Sequence, residues 1–256
     1  MFVSCVAGRA KRGGTTEMND WIGFGLRSAT RTLLASTLMM LSGCAALPGM
    51  PDERAATAEW HAVRLPGKLP TQYRREHKEG RSALAAHADR SASMWRRKAV
   101  RAPEVLGDVE FSWWVHALPK DGDVSQAERE DASARVMFAF AGDESRLSAR
   151  NQMLFDLART LSGDAPPFAT LMYVWDARAP VGSVIVNPRS DRIRKIVVES
   201  GTAGLRQWRS YRRNLTEDFH LAFGEAPGAL QAMAVMTDGD NTQSQLSTWY
   251  GDISWH

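Results

Sequence analysis

The sequence has few of the residues and motifs that usually carry chemistry. Only two cysteines, Cys5 and Cys44, occur in 256 residues, which excludes a zinc site built from several cysteines. The six histidines are scattered singly, and no HExxH pair of a metalloprotease is present. There is also no GxSxG nucleophile turn and no glycine-rich phosphate loop. No motif therefore indicates a particular reaction.

Long apolar runs are also missing. The uncharged stretch from Thr32 to Leu41 is about half of the ~20 residues that a membrane-spanning helix needs. Arg27 and Arg31 precede it, and the small residues Ser42 and Gly43 follow. A basic start, a short apolar core and small residues are typical of a secretory signal, which we assign to residues 1–43.

The signal ends in Leu-Ser-Gly-Cys, which resembles the lipobox of bacterial lipoproteins. The resemblance implies that the thiol of Cys44 is acylated and that Cys44 becomes the new N-terminus. Met18 lies at a normal signal length before Cys44, so residues 1–17, with Cys5, are interpreted as a mis-assigned start. The alternative is an ordinary core helix with a buried cysteine. Ala45 stands where aspartate would favour the inner membrane, which predicts the periplasmic face of the outer membrane.

The apparent basicity of the chain belongs to this signal. Residues 1–43 hold five of the 32 basic residues and two of the 29 acidic residues, which leaves 27 of each. A mature chain without net charge lacks the concentrated positive surface of a nucleic-acid-binding protein. Residues 44–58, rich in alanine and proline, are interpreted as a tether behind the lipidated cysteine, and residues 59–256 as one domain.

Short alternating segments dominate residues 59–256. Val109, Phe111, Trp113 and Val115 recur at period two, as expected of a strand with one buried face. About ten such segments occur, with a hairpin expected at Glu79-Gly80. Helices are expected only at residues 147–161 and 214–224, the second with Thr216 as its cap and Gly224 as its stop. The pattern predicts a mainly β protein, an antiparallel β-sandwich with one or two inserted helices.

Four stretches, in this order, carry a resemblance to a known family: EREDASARVMFAFAG, TLMYVWDAR, NLTEDFHLAFGEAPGALQAMAVMTDGDNT and STWYGDI. They are similar to the bacterial family catalogued as domain of unknown function 3047, over about residues 58–256. The resemblance implies a jelly-roll sandwich similar to galactose-binding-like domains, a fold that often binds sugars. It implies no reaction.

Two acidic segments are candidate sites. In MTDGDNT, Asp238, Asp240 and Asn241 offer the oxygen ligands that Ca²⁺ prefers, with Asp252 as a further donor. The alternative is a turn in which these side chains bond their own backbone.

The second acidic segment is EREDASAR. There Asp131 and Arg135 suggest a solvated loop closed by an ion pair, or a ligand contact. Paired carboxylates for glycosidase chemistry are the remaining alternative.

Tryptophans are the other candidates, because an exposed indole can stack on a sugar face. Trp114, Trp175 and Trp249 lie near strand ends or on a face opposite to the core, while most other tryptophans are expected inside the sandwich. We therefore expect a lipoprotein that binds a glycan or envelope component without catalysis. A polysaccharide hydrolase using acids such as Asp131 and Asp238, and a protein-binding assembly factor, are the alternatives.

Replacing Cys44 tests the lipid anchor. Cys44→Ser should abolish lipid attachment and leave unprocessed precursor, because only a thiol forms the thioether to diacylglycerol. Mass spectrometry of the N-terminal peptide checks this, with Cys5→Ser as the control that should remain acylated. A wild-type N-terminus at another residue, or one without acyl chains, would contradict the assignment.

Overall fold

The computed structural model describes residues 59–162 and 165–256. The expectations for the signal, for Cys44 and for the tether lie outside these residues. Within them the chain forms thirteen strands, two α-helices and two short 3₁₀ helices. No described helix is long and apolar enough to cross a bilayer.

The strands are bounded as follows: β1 His61–Arg64, β2 Gln72–Lys78, β3 Arg81–Asp89, β4 Ser93–Arg101, β5 Asp108–Val115, β6 Arg135–Phe140, β7 Ala169–Asp176, β8 Val184–Val186, β9 Ile193–Ser200, β10 Trp208–Asn214, β11 Leu230–Met236, β12 Gln245–Tyr250 and β13 Ser254–Trp255. Helix α1 spans Ala149–Ser162 and α2 spans Leu215–Phe223. The 3₁₀ helices are Pro103–Val105 and Glu144–Arg146.

Two sheets form the sandwich. The seven-stranded sheet has the order β1-β4-β11-β6-β7-β9-β8. The six-stranded sheet has the order β10-β5-β12-β3-β2, with β13 also paired to β5. Neighbouring strands are antiparallel, as predicted, except for β7 and β9. These two strands are parallel, so the chain between them has to cross back to the end of the sheet from which β7 starts. The predicted jelly-roll-like β-sandwich is confirmed.

The core lies between the sheets and follows the period-two pattern. Val109, Phe111, Trp113 and Val115 are all at most 2 % exposed and belong to one cluster with Phe138. Because successive strand residues face opposite sides, Trp114 points to the outer face of the six-stranded sheet instead. Alternation along β5 therefore separates the residues that face the other sheet from those on the outer face, where Trp114 is also buried, at 4 % exposed.

The predicted hairpin is confirmed. Strands β2 and β3 pair from Gln72 to Lys78, and the turn residues Glu79 and Gly80 both have positive φ, at 50° and 77°. Positive φ at both central positions matches the right-handed twist of the flanking strands.

Both helices exist, but details of the expectation are wrong. On α1 the helical spacing of Met153, Leu154 and Leu157 predicts a buried apolar face, but Met153 and Leu157 are 64 % and 52 % exposed, while Phe155 is buried. On α2 the cap is Asn214, whose side chain accepts from the Glu217 backbone amide, and not Thr216. Asparagine serves because the chain leaves β10 in an extended conformation one residue before the helix. Gly224 ends the helix at a φ of 72°, as expected.

Truncating one central core residue should show how much this packing contributes to the free energy of unfolding. Phe138→Ala should lower the free energy of unfolding by about 3–5 kcal/mol, because the site leaves a cavity between two sheets. Val100→Ala on β4, 70 % exposed, is the control and should change it by less than about 1 kcal/mol. Urea denaturation measures both, and equal losses would contradict the assignment of the core.

Candidate functional site

The acidic turn after β11, which holds Asp238 and Asp240, lies next to Asp131 and not next to the predicted Asp252. Ligand oxygens of Asp131, Asp238 and Asp240 all lie within 4.8 Å of one another. Asp252, predicted as the further donor, points away, with its side chain 89 % exposed and 3.7 Å from Arg75. The reason is strand pairing: Met236 faces Arg135 across β11 and β6, so residues after β11 lie beside residues before β6.

Each of these acids already has a partner in the protein. Arg135 donates from Nε and Nη2 to the two oxygens of Asp238, both at 2.9 Å. The ammonium of Lys68 forms an ion pair with Asp240. Asp131 accepts from the backbone amide and hydroxyl of Thr242, both at 2.6 Å. A calcium ion would have to displace Arg135 or Lys68, so the metal hypothesis stays an untested prediction with two built-in competitors.

Asn241, the remaining predicted metal ligand, also takes part in the packing of this turn. Its backbone amide donates to Asp131 at 3.2 Å, and its side-chain amide donates to the carbonyl of Ala127 at 3.3 Å. Both bonds tie the turn to the segment before β6. The alternative, a turn in which these side chains bond only their own backbone, is therefore wrong as well.

The acidic segment before β6 is a buried anchor and not a solvated loop. Glu130, Asp131 and Arg135 are 7 %, 1 % and 3 % exposed, which overturns the expected solvated loop. Arg135 forms its ion pair with Asp238, and Glu130 is 2.7 Å from the ammonium of Lys195, a fully buried lysine. Because these groups bond one another, they hold the β5–β6 loop on the seven-stranded sheet. The acids of this cluster offer a hydrolase no exposed carboxylate pair.

Burial, helped by the nearby Arg135 guanidinium and opposed by Glu130, lowers the pKa of Lys195 to about 8. Removing the protonated form from water costs more than the ion pair recovers. Lys195 is thus a structural cation close to its titration midpoint at mildly alkaline pH.

Of the three tryptophans predicted to bind sugars, one lies in the core and two lie on the outer face of a sheet. Trp175 is 1 % exposed, lies in the core 6.4 Å from the ring of Trp113, and donates its indole N–H to the Gly201 carbonyl. Its nomination is wrong, because its position in β7 faces the other sheet. Trp114 and Trp249 lie together on the outer face of the six-stranded sheet, with ring centroids 5.1 Å apart.

We call Trp114, Trp208 and Trp249, which form one row across β10, β5 and β12, the tryptophan face. The tip of the β2–β3 hairpin covers it. The Lys78 ammonium lies 3.5 Å and 4.1 Å from the ring centroids of Trp114 and Trp249. Glu79 accepts from the Trp114 indole at 2.9 Å.

The hairpin can reach these rings only because the sheet curls. Trp208 on β10 donates at 3.3 Å to the carbonyl of Lys78 on β2, at the opposite edge of the sheet. In a flat sheet those edges would be about 19 Å apart. The ring faces of Trp114 and Trp249 are therefore occupied by the protein itself, and both residues are at most 9 % exposed.

A polar group borders the tryptophan face. Glu76 accepts from the Trp249 indole at 2.7 Å and lies 3.3 Å from His87, which is 2.9 Å from the Ser247 hydroxyl. Hydrogen bonds led by the one from Arg74 lower the pKa of Glu76 to about 2. A carboxyl that remains ionised at neutral pH cannot act as a general acid.

An open cleft of about 230 Å³ lies where the two sheets separate at the β2 and β4 edge. We call it the side cleft; its lining is Trp60, Arg75, Leu84, Trp95, Arg97, Val235, Tyr250, Gly251, Asp252 and Ile253. Strand alternation places Trp95 and Arg97 on one face of β4, and Tyr73 and Arg75 on one face of β2. Both faces turn inward, as their contacts with the core show.

The aromatic groups of the side cleft are fixed from behind. Trp95 stacks on Tyr73 with ring centroids 5.5 Å apart, and the Tyr73 hydroxyl donates to the Ser93 carbonyl at 2.6 Å. The Arg97 guanidinium lies 5.5 Å from the centroid of Trp60. Asp252 is the sole carboxylate among the lining residues.

Sequence reasoning missed Trp60, Arg75, Trp95 and Arg97. Arg75 follows Tyr73 by two residues, and Arg97 follows Trp95 by two. The period-two pattern therefore predicts that each arginine shares a strand face with an aromatic residue. Charged side chains are usually assigned to the exposed face of a strand, so that face would be predicted to point outward. Only the pairing register of the strands shows that it points inward.

Comparison with protein families decides the relationship of the chain. Residues 58–254 match the family model described as "Protein of unknown function (DUF3047)". The chain belongs to this family. A comparison with curated proteins found no match.

Among solved structures the chain is similar to a family 11 carbohydrate-binding module of Clostridium thermocellum in complex with a mixed-linked tetrasaccharide (8 % identity, TM-score 0.38, 76 % of this chain and 86 % of that one). It is also similar to the xyloglucanase domain of NopAA from Sinorhizobium fredii in complex with cellobiose (8 %, 0.41, 76 % and 91 %). A third similarity is to a cellulase variant derived from Rhodothermus marinus (13 %, 0.40, 76 % and 90 %). Likeness at this level carries no argument about what this chain binds.

The buried lysine provides a test with a defined pH dependence. Lys195→Met should lower the free energy of unfolding by about 3 kcal/mol at pH 7, because Glu130 loses a buried partner. The folded-state pKa of Lys195 lies below its unfolded value, so the folded chain binds fewer protons between them. The stability that Lys195 contributes therefore rises with pH, and the effect of the substitution should grow by about 1 kcal/mol from pH 7 to 9.

Urea denaturation of wild type and Lys195→Met at both pH values measures this difference. The exposed Lys120→Met is the control and should show no pH-dependent difference from wild type. A difference that shrinks as pH rises would contradict the assigned shift of the Lys195 pKa.

Proposed function

We propose that this protein is a non-catalytic carbohydrate-binding lipoprotein whose site is the side cleft. The observation that carries the proposal is the combination, in one open cleft, of two indole rings with three charged side chains. A sugar presents apolar C–H faces and a rim of hydroxyl groups, so it needs both kinds of partner.

The donors and acceptors of the cleft suit hydroxyl groups. The Arg75 and Arg97 guanidinium groups donate, and the Asp252 carboxylate accepts. The Arg75–Asp252 contact is long, at 3.7 Å, and both side chains are largely exposed, so a ligand can replace it at little energetic cost.

The lining of the cleft favours binding over hydrolysis. Glycosidases need two carboxyl groups on either side of the scissile bond, and Asp252 is the single carboxylate lining this cleft. The polar group around Glu76 lies on the other face of the six-stranded sheet, and Glu76 is ionised at neutral pH.

The tryptophan face is the weaker location for the same function. A sugar would have to displace Lys78 from two rings and break the Trp208–Lys78 and Trp114–Glu79 bonds. Those contacts fix the hairpin, which indicates a stabilising role for the rings. The side cleft needs no such rearrangement.

The location of the protein forms part of the proposal. Acylation of Cys44 would anchor the chain at the periplasmic face of the outer membrane. The connection of residues 44–58 can span at most about 50 Å, which keeps the cleft within reach of envelope glycans.

A glycan array probed with the full chain in detergent tests this function. Binding should fall about tenfold or more in Trp60→Ala, because the substitution removes one aromatic wall. Leu69→Ala, at a position 68 % exposed, is the matched surface control and should bind like wild type. Binding that survives Trp60→Ala but is lost in a folded Trp114→Ala would move the site to the tryptophan face, and an array without any bound glycan would overturn the function.

A further inference from the structure

We infer that the side cleft selects acidic sugars, with the Arg97 guanidinium as the group that reads the ligand carboxylate. This inference rests on the proposed function and adds the chemical class of the ligand. It concerns only the side cleft.

Arg97 is the strongest part of the argument. Within residues 59–162 and 165–256, its guanidinium lies over the Trp60 ring and near the charge of Asp252, and it makes no hydrogen bond or close ion pair. The side chain is half-buried, and burial lowers the pKa of Arg97. A half-buried guanidinium that makes no hydrogen bond to a carboxylate loses part of its hydration without compensation, and an anionic ligand would supply the missing partner.

The charge of the cleft points the same way. Arg75 and Arg97 outnumber Asp252, so the lining has a net positive charge of about one. Asp252 is 89 % exposed and lies beyond hydrogen-bond distance of Arg75, so neither arginine is neutralised by a tight pair. A carboxylate-bearing sugar supplies the missing negative charge and also fits the indole walls.

The position of these arginines has another physical explanation that the experiment must separate. Strand β2 is an edge of the six-stranded sheet, and β1 pairs with β4 only as far as Arg96, so both arginines lie on edge segments. Inward-pointing charge on such segments prevents pairing with another molecule. An arginine kept only for that purpose would matter for aggregation and not for ligand binding.

The experiment compares matched glycans with the full chain in detergent. Trigalacturonic acid, its fully methyl-esterified form and a panel of other acidic oligosaccharides with their carboxyl-reduced forms are the probes. Each pair differs in charge but shares most of its shape. The best acidic member should bind about tenfold more tightly than its neutral partner, and this ratio should fall as salt is raised.

Substitutions then assign the preference to one residue. Arg97→Met should weaken the binding of acidic glycans far more than that of neutral ones and so reduce the acid-to-neutral ratio to about one, and Arg97→Lys should restore part of the ratio. Arg96→Met, on the same strand with its side chain on the opposite face, is the control and should leave the ratio unchanged. Light scattering records whether any variant aggregates.

Two results would overturn the inference. In the first, neutral glycans bind as well as acidic ones, and Trp60→Ala abolishes the binding of both. This result would leave the proposed function standing. The other is an acid preference that survives Arg97→Met, with or without aggregation of the variant. Failure of every glycan to bind would overturn the proposed function and this inference together.

Discussion

Two β-sheets can close on each other only where both present apolar side chains, because a charge placed between them loses its hydration. Over most of this sandwich the condition holds, from Val109 to Val115 on β5 and across Phe138 on β6. At the β2 and β4 edge it fails, since the inward positions carry Arg75 and Arg97. The sheets stay apart there, and the resulting cleft is the place where a ligand can reach aromatic and charged groups at once.

The buried ionic cluster solves a different problem. The β5–β6 loop has to lie on the outer face of the seven-stranded sheet, and it does so through Glu130, Asp131 and Arg135. Breaking such a cluster is costly, because each group left without its partner remains in a medium that does not solvate it. Through Arg135 the same cluster also holds Asp238, so it joins the turn after β11 to this loop.

Much of the fold could be predicted from local pattern, and the sites could not. Period two identifies the buried face of β5, and Gly224 marks the end of α2, because both depend on residues close in sequence. The partner of Asp238 depends on pairing between strands about 100 residues apart, which no local pattern encodes. The same reason explains Trp175: its residue type suits both a core and a platform, and only the neighbouring sheet decides.

The strand order has a consequence for how the chain becomes a protein. Strand β11 lies between β4 and β6 in one sheet, and β12 lies between β3 and β5 in the other. Both central strands come from residues 230–250, so the earlier strands have no complete sheet to join until these residues are available. Contacts so distant in sequence make folding slow and late. A chain that is still being synthesised can therefore complete neither sheet before residues 230–250 have left the ribosome.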